Sequence, residues 1–113
     1  MTGRAGDGPD RERYLMSLWP AVEAEVKRHF QGADAATALA ALDLANFPLG
    51  SRAAPSERPR IQLACVKLAA GDMGRLKEAV ALAERDWRDV LVAAGLANAD
   101  WREALRRAGM RVP

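Results

Sequence analysis

A chain of 113 residues, half of them hydrophobic and 28% charged, has the size and composition of one globular domain. Seventeen basic and 15 acidic residues leave a net charge of +2, a smaller excess than many nucleic-acid-binding proteins carry to neutralise phosphates. A single cysteine excludes an internal disulfide and a cage of thiolate metal ligands, so we expect a reducing, cytoplasmic location.

The N-terminal residues are polar and rich in glycine, and they lack the apolar stretch of a secretion signal. This composition predicts a disordered tail over residues 1–9, followed by a single helical domain over residues 10–113. No stretch of the sequence approaches the roughly 18 consecutive apolar residues of a membrane span, so we expect no membrane contact.

Hydrophobic residues recur at spacings of three and four, which predicts an all-α fold: a small bundle of about five helices. The first helix is capped by Asp10 and ends at Gly32. We expect a kink or a break in it at Pro20, because proline lacks an amide donor and clashes with the preceding turn. The second helix begins at a cap on Asp34 and ends at Pro48.

The stretch FPLGSRAAPSERP, residues 47–59, contains three prolines and a glycine. It predicts a loop over residues 47–58, interpreted as a spacer between a two-helix half and a three-helix half. The third helix, from Pro59 to Ala70, is apolar around almost its whole circumference. Such a helix is a buried one, so we expect it at the centre of the bundle, with Gly71 as its stop.

Asp72 is the predicted cap of the fourth helix, in which apolar residues keep one spacing as far as Ala94. This pattern predicts one long, unbroken helix over residues 73–94. On such a helix Trp87 falls in the stripe that faces the core. Arg85 and Asp89 lie on the opposite side, four residues apart, where they can form an ion pair.

A second stripe of side chains on the fourth helix faces away from the core and mixes apolar with charged residues. Two apolar residues on one exposed stripe are typical of a face that another helix covers. We expect this outer stripe to be covered by the fifth helix or by a second subunit. Its members are Glu78, Leu82, Arg85, Asp89 and Val92.

Residues 89–110 resemble a weak helix-turn-helix, with Gly95 at the turn and a short fifth helix from a capping box at Asp100 to Ala108. Two features argue against this interpretation. Leu91 occupies a position that usually holds a small residue, and the fifth helix lacks the amide or hydroxyl side chains that read base edges. DNA binding is therefore the alternative function, with phosphate contacts from Arg102, Arg106, Arg107 and Arg111.

About a third of the chain, residues 59–95, carries a recognisable pattern: a Lys-Leu-x-x-Gly-Asp turn, and then a helix with Asp-aromatic-Arg-Asp-Val-Leu. The pattern resembles a group of short bacterial proteins of unknown function, and this resemblance implies a helical fold. Gly74 departs from the pattern, because glycine weakens the first turn of a helix. The matching residues are Lys67, Leu68, Gly71, Asp72, Leu76, Asp86, Trp87, Arg88, Asp89, Val90 and Leu91.

The sequence marks no catalytic, cofactor-binding or metal-binding residues. Cys65 and His29 are the only cysteine–histidine pair that could support nucleophilic catalysis. Cys65 lies on the most buried helix, where a thiol is usually inert, and His29 follows two basic residues near a helix end, where we expect a solvated side chain. Carboxylates show no metal-ligand spacing.

These observations predict a cytoplasmic helical protein that acts as a protein-interaction or assembly module and is not an enzyme. The expected partner is another protein or a second copy of the chain, as a homodimer. The sequence argues against nucleic acid as a partner and predicts no cofactor.

Overall fold

The computed structural model describes residues 18–113, which form five helices and no strand. The all-α class and the predicted number of helices are confirmed. The expected tail over residues 1–9 and the Asp10 cap lie outside the described residues. The helices are α1 (Pro20–His29), α2 (Gly32–Leu44), α3 (Glu57–Ala69), α4 (Met73–Ala94) and α5 (Trp101–Arg107).

The break predicted at Pro20 is confirmed, because α1 begins at this residue and Trp19 before it is extended. Proline suits the first helical position, where its missing amide would have had no partner. The second helix begins at Gly32, so Asp34 lies in its first turn and does not cap it as predicted. An acidic side chain in the first turn still interacts favourably with the helix dipole.

The central helix is α3, as its all-round apolar sequence predicts. Its side chains from Ile61 to Val66 are all buried, and α1 and α4 pack against it. It begins two residues before Pro59, which the first turn of a helix tolerates. It ends one residue earlier than predicted, because Ala70 already has a left-handed backbone, with φ of 49°.

Gly71, the predicted stop, is also left-handed, with φ of 84°. A Cβ atom at Gly71 would lie 3.1 Å from the backbone oxygen of His29, so the turn needs glycine for its conformation and for its close approach to α1. The turn connects α3 to α4, which pack against each other more extensively than any other two helices of the described residues.

The predicted range of α4 is confirmed, but the prediction that it is unbroken is wrong. Asp86 has φ of −155° and ψ of 94°, which is extended backbone inside the helix. The Asp86 carboxylate accepts the N–H of Arg88 at 3.1 Å, as the cap of a helix does. Asp86 therefore ends one helical run and starts another.

The break folds α4 back along α3. Met73 follows the turn at the C-terminal end of α3, and Lys67 near that same end donates from Nζ to the Ala94 oxygen at 2.6 Å. A straight helix of 22 residues would hold its ends roughly 33 Å apart. Arg60 also donates to the Leu96 oxygen, at 2.9 Å, so α4 ends beside the middle of α3. This is much nearer to the start of α4 than a straight helix allows, so its two runs have different directions.

The last helix, α5, is shorter than predicted, and Asp100 does not cap it through its side chain. The Asp100 carboxylate lies instead 3.6 Å from the Arg107 guanidinium. Trp101 and Leu105 are buried, and the Arg60 guanidinium lies 5.3 Å from the centre of the Trp101 ring. These contacts attach α5 to the N-terminal half of α3.

Candidate functional site

The outer stripe predicted on α4 does not form one continuous face. The break at Asp86 separates Glu78 and Leu82, in the first run, from Asp89 and Val92 in the second. Leu82 is half-buried: it packs against the core on one side and, with Glu78 and Leu68, lines an open groove of about 360 Å³ on the other. Val92 is 66% exposed, so α5 does not cover it. The alternative in which the fifth helix covers the outer stripe is therefore wrong at Val92. Cover by a second subunit stays a prediction.

The ion pair predicted between Arg85 and Asp89 is absent, because the extended residue between them removes the helical i,i+4 geometry. Glu84, two residues before the break, accepts the backbone N–H of Asn46 at 2.9 Å. Among the described residues, Arg85 has no ion-pair partner.

Trp87 lies at the edge of the core and not inside it, which corrects its predicted place in the core stripe. The side chain is half-buried, and its Nε1–H donates to the Pro48 oxygen at 3.1 Å. The Arg88 guanidinium lies 5.1 Å from the centre of a Trp87 ring. The indole therefore connects the start of the second α4 run to the loop before α3.

This loop, residues 45–56, is fixed to the helices through its first half. Phe47 is buried, with the Arg58 guanidinium 5.2 Å from its ring centre. The bonds from Asn46 to Glu84 and from Trp87 to Pro48 attach the neighbouring backbone to α4. The stretch interpreted as a spacer thus begins with a docked segment.

Two open grooves lie on either side of Trp87 and share Leu49 and Trp87 as lining residues. The larger, of about 420 Å³, is lined by Leu49, Gly50, Ser51, Arg52, Ala53, Ala54, Glu57 and Trp87. The smaller, of about 300 Å³, is lined by Pro48, Leu49, Arg85, Asp86, Trp87 and Arg88. We call the residues Leu49, Arg52, Arg85, Trp87 and Arg88 the Trp87 surface.

The Trp87 surface is positively charged at its rim. Arg52, Arg85 and Arg88 form no ion pair with a described residue. The two carboxylates that line the grooves are already engaged: Glu57 pairs with Arg60 at 3.0 Å, and Asp86 accepts an amide N–H. Sequence reasoning identified Arg85 and Trp87 but assigned them to opposite sides of one helix.

The polar residues of the Lys-Leu-x-x-Gly-Asp pattern bind backbone groups at helix ends. Lys67 donates to the Ala94 oxygen at the C-terminus of α4, where four carbonyls lack helical partners. Asp72 and Asp86 each accept an amide N–H at the start of a helical run, at 3.0 and 3.1 Å. These polar residues of the pattern therefore have a structural role at the turn before α4, at the break in α4 and at its C-terminus.

The thiol of Cys65 is unsuited to nucleophilic catalysis. Burial raises the pKa of the Cys65 thiol to about 12, so the reactive thiolate is scarce at neutral pH. His29, expected to be solvated, is half-buried, with Nε2 3.3 Å from Oε1 of Glu25. Sequence reasoning did not single out Glu25, which is fully buried and accepts the backbone N–H of Arg111 at 3.2 Å.

The four arginines of the alternative interpretation lie on or just after α5 and are exposed. Arg102 lies 4.3 Å from the Trp101 ring centre, and Arg106 pairs with Glu103 at 3.1 Å. Residues 95–100 separate α4 from α5, a longer connection than the usual three or four residues of a helix-turn-helix. Ion pairs of Arg106 and Arg107 would have to open before these side chains could bind phosphates.

Comparisons with protein-family models, with curated proteins and with solved structures find no match to this chain. Over residues 18–113, no helix has both the length and the apolar character needed to cross a membrane. In the same range, no three His, Cys, Asp or Glu side chains are grouped so that they could hold a metal ion.

Proposed function

We propose that this protein is a protein-interaction module and that it binds its partner through the Trp87 surface. The observation that carries the proposal is the position of Trp87, half-buried between two grooves whose rims hold unpaired arginines. Tryptophan and arginine are enriched among the residues that supply most of the binding energy at protein interfaces.

The attachment of the loop to α4 beside Trp87 supports the same proposal. Leu49 packs against the core, and the oxygen of the preceding residue, Pro48, accepts the Trp87 N–H. Both contacts fix the position of Leu49 beside Trp87. A surface that is already ordered loses less side-chain and loop entropy when a partner binds. The grooves are therefore suited to recognition with little rearrangement.

We place the module in the cytoplasm, where the free thiol of Cys65 would stay reduced. The partner is another protein or a second copy of the chain. Sedimentation of the purified protein separates these two cases, because a homodimer requires no other component and its fraction rises with concentration.

The test is affinity capture from the protein's own cells with a tagged chain and two charge-reversed variants. Arg85→Glu alters the Trp87 surface, and Lys77→Glu is the matched control, because Lys77 is exposed on the same helix and lines neither groove. We expect the wild type and Lys77→Glu to recover the same partner and Arg85→Glu to lose it. An unchanged partner with Arg85→Glu would contradict the proposed surface.

A gel-shift assay at about 150 mM salt tests the alternative function. Electrostatic binding to phosphates weakens steeply as salt rises, so only specific recognition survives this condition. Tight, sequence-selective DNA binding that Arg102→Ala and Arg111→Ala abolish would replace the protein-interaction proposal with a DNA-binding one.

A further inference from the structure

We propose that the Trp87 surface recognises an acidic segment of a partner protein, and that this segment inserts a hydrophobic side chain beside Trp87. The inference rests on the proposed protein-interaction function and adds the chemistry of the partner. It is carried by the charge at the rim of the two grooves and by the apolar lining of the larger one.

The charge argument begins with three guanidinium groups. Arg85 and Arg88 line the smaller groove and Arg52 lines the larger one, and none of them forms an ion pair with a described residue. Glu57 is neutralised by its ion pair with Arg60, whereas Asp86 keeps its negative charge, so three guanidinium groups face one carboxylate and the lining keeps a net charge of +2. A guanidinium binds a carboxylate through two parallel hydrogen bonds, so carboxylates of a partner complement this rim.

The apolar lining indicates what accompanies those carboxylates. Leu49, Ala53 and Ala54 line the larger groove together with Trp87, in a space of about 420 Å³. This volume lies within the range of sites that bury small apolar groups. A leucine or phenylalanine of the partner would remove its own apolar surface and that of Trp87 from water, which supplies affinity that charge alone lacks.

A protein segment fits this surface better than a single-stranded nucleic acid does. Binding of successive bases requires aromatic ring faces that are open for stacking. Trp87 is half-buried, is held by the Pro48 oxygen and has the Arg88 guanidinium 5.1 Å from a ring centre. The groove beside it is lined by alkyl groups of Leu49 and two alanines, which suit an aliphatic or aromatic side chain.

The experiment measures binding of three fluorescent peptides, each about a dozen residues long, to the full chain by anisotropy. The first peptide contains glutamate and leucine, the second has lysine in place of each glutamate, and the third has serine in place of each leucine. We expect the first to bind most tightly. We expect Arg85→Glu to weaken it by about tenfold or more, Lys77→Glu to leave it unchanged, and added salt to weaken it.

Circular dichroism checks that both variants fold, which we expect because Arg85 and Lys77 are exposed and unpaired. Equal binding of the lysine peptide, or binding that Arg85→Glu does not weaken, would overturn the inference. Arg85-dependent binding of oligothymidylate without binding of the acidic peptide would overturn it in favour of nucleic acid. If cellular capture depends on Arg85 but acidic peptides do not bind, the inference fails while the proposed function stands.

Discussion

Replacing Trp87 with alanine should lower the free energy of unfolding. It should also release the loop over residues 45–56 from α4. A buried tryptophan removes about 150–250 Å² from water, so a half-buried one removes roughly 100 Å², worth about 2.5 kcal/mol at 25 cal/mol per Å². The hydrogen bond from Nε1 to the Pro48 oxygen adds about 1 kcal/mol. Since the unfolded chain already buries part of this area, we expect a total loss of about 3 kcal/mol.

The matched variant is Trp87→Phe, which removes the N–H donor and a smaller part of the apolar ring area. We expect it to lower the free energy of unfolding by about 1.5 kcal/mol, mostly through the lost hydrogen bond. Urea denaturation of the three proteins gives both differences, provided that the slope of the transition stays the same.

Trypsin reports on the loop separately. Arg52 is exposed within the loop, whereas Pro59 follows Arg58 and blocks cleavage there. We expect Trp87→Ala to accelerate cleavage after Arg52 without denaturant, through local opening of the loop. If Trp87→Ala and Trp87→Phe gave equal losses of stability, or if cleavage after Arg52 did not change, Trp87 would not be the residue that holds the loop.

Three further predictions concern the break, the fold-back and the buried thiol. Asp86→Ala should lower the free energy of unfolding by about 1 kcal/mol. Asp86→Asn should lower it by much less, because asparagine also caps helices. Equal losses of the two variants in urea denaturation would contradict a capping role. Lys67→Met should lower the free energy of unfolding by about 1.5–3 kcal/mol, because the charge-assisted hydrogen bond to the Ala94 oxygen is lost. The control, Lys77→Met, should change it by less than about 0.5 kcal/mol. Similar losses in the two variants would show that the bond contributes little. Since burial raises the pKa of Cys65 from 9.0 to about 12, the unfolded chain loses this proton first as pH rises. Stability should therefore fall above pH 9, by about 1.4 kcal/mol per pH unit, until the folded thiol also titrates. Cys65→Ala should remove this contribution to the slope of the free energy of unfolding against pH. Rapid chemical labelling of the thiol in the folded protein at pH 8 would contradict its burial.

The amino-acid sequence alone determined the helical class and the central helix. Apolar residues around the whole circumference of α3 leave it no polar face for solvent, so burial follows from the side chains themselves. Gly71 and Gly95 mark the ends of α3 and α4 because a left-handed backbone strains most other residues. The start at Pro20 is equally local, since proline itself forbids the continuous helix.

The tertiary structure alone decided the break at Asp86 and, with it, the candidate site. Both runs of α4 bury apolar side chains, so the apolar spacing continues through the break and gives no sign of it. Asparagine and aspartate favour caps, but this local preference is worth only about 1 kcal/mol. The hydrogen bonds from Trp87 to Pro48 and from Lys67 to Ala94 also stabilise the broken helix. They connect segments distant in sequence, so they form only when the chain is folded. The Trp87 surface joins residues 49–52 to residues 85–88 for the same reason, because only packing brings such distant segments together.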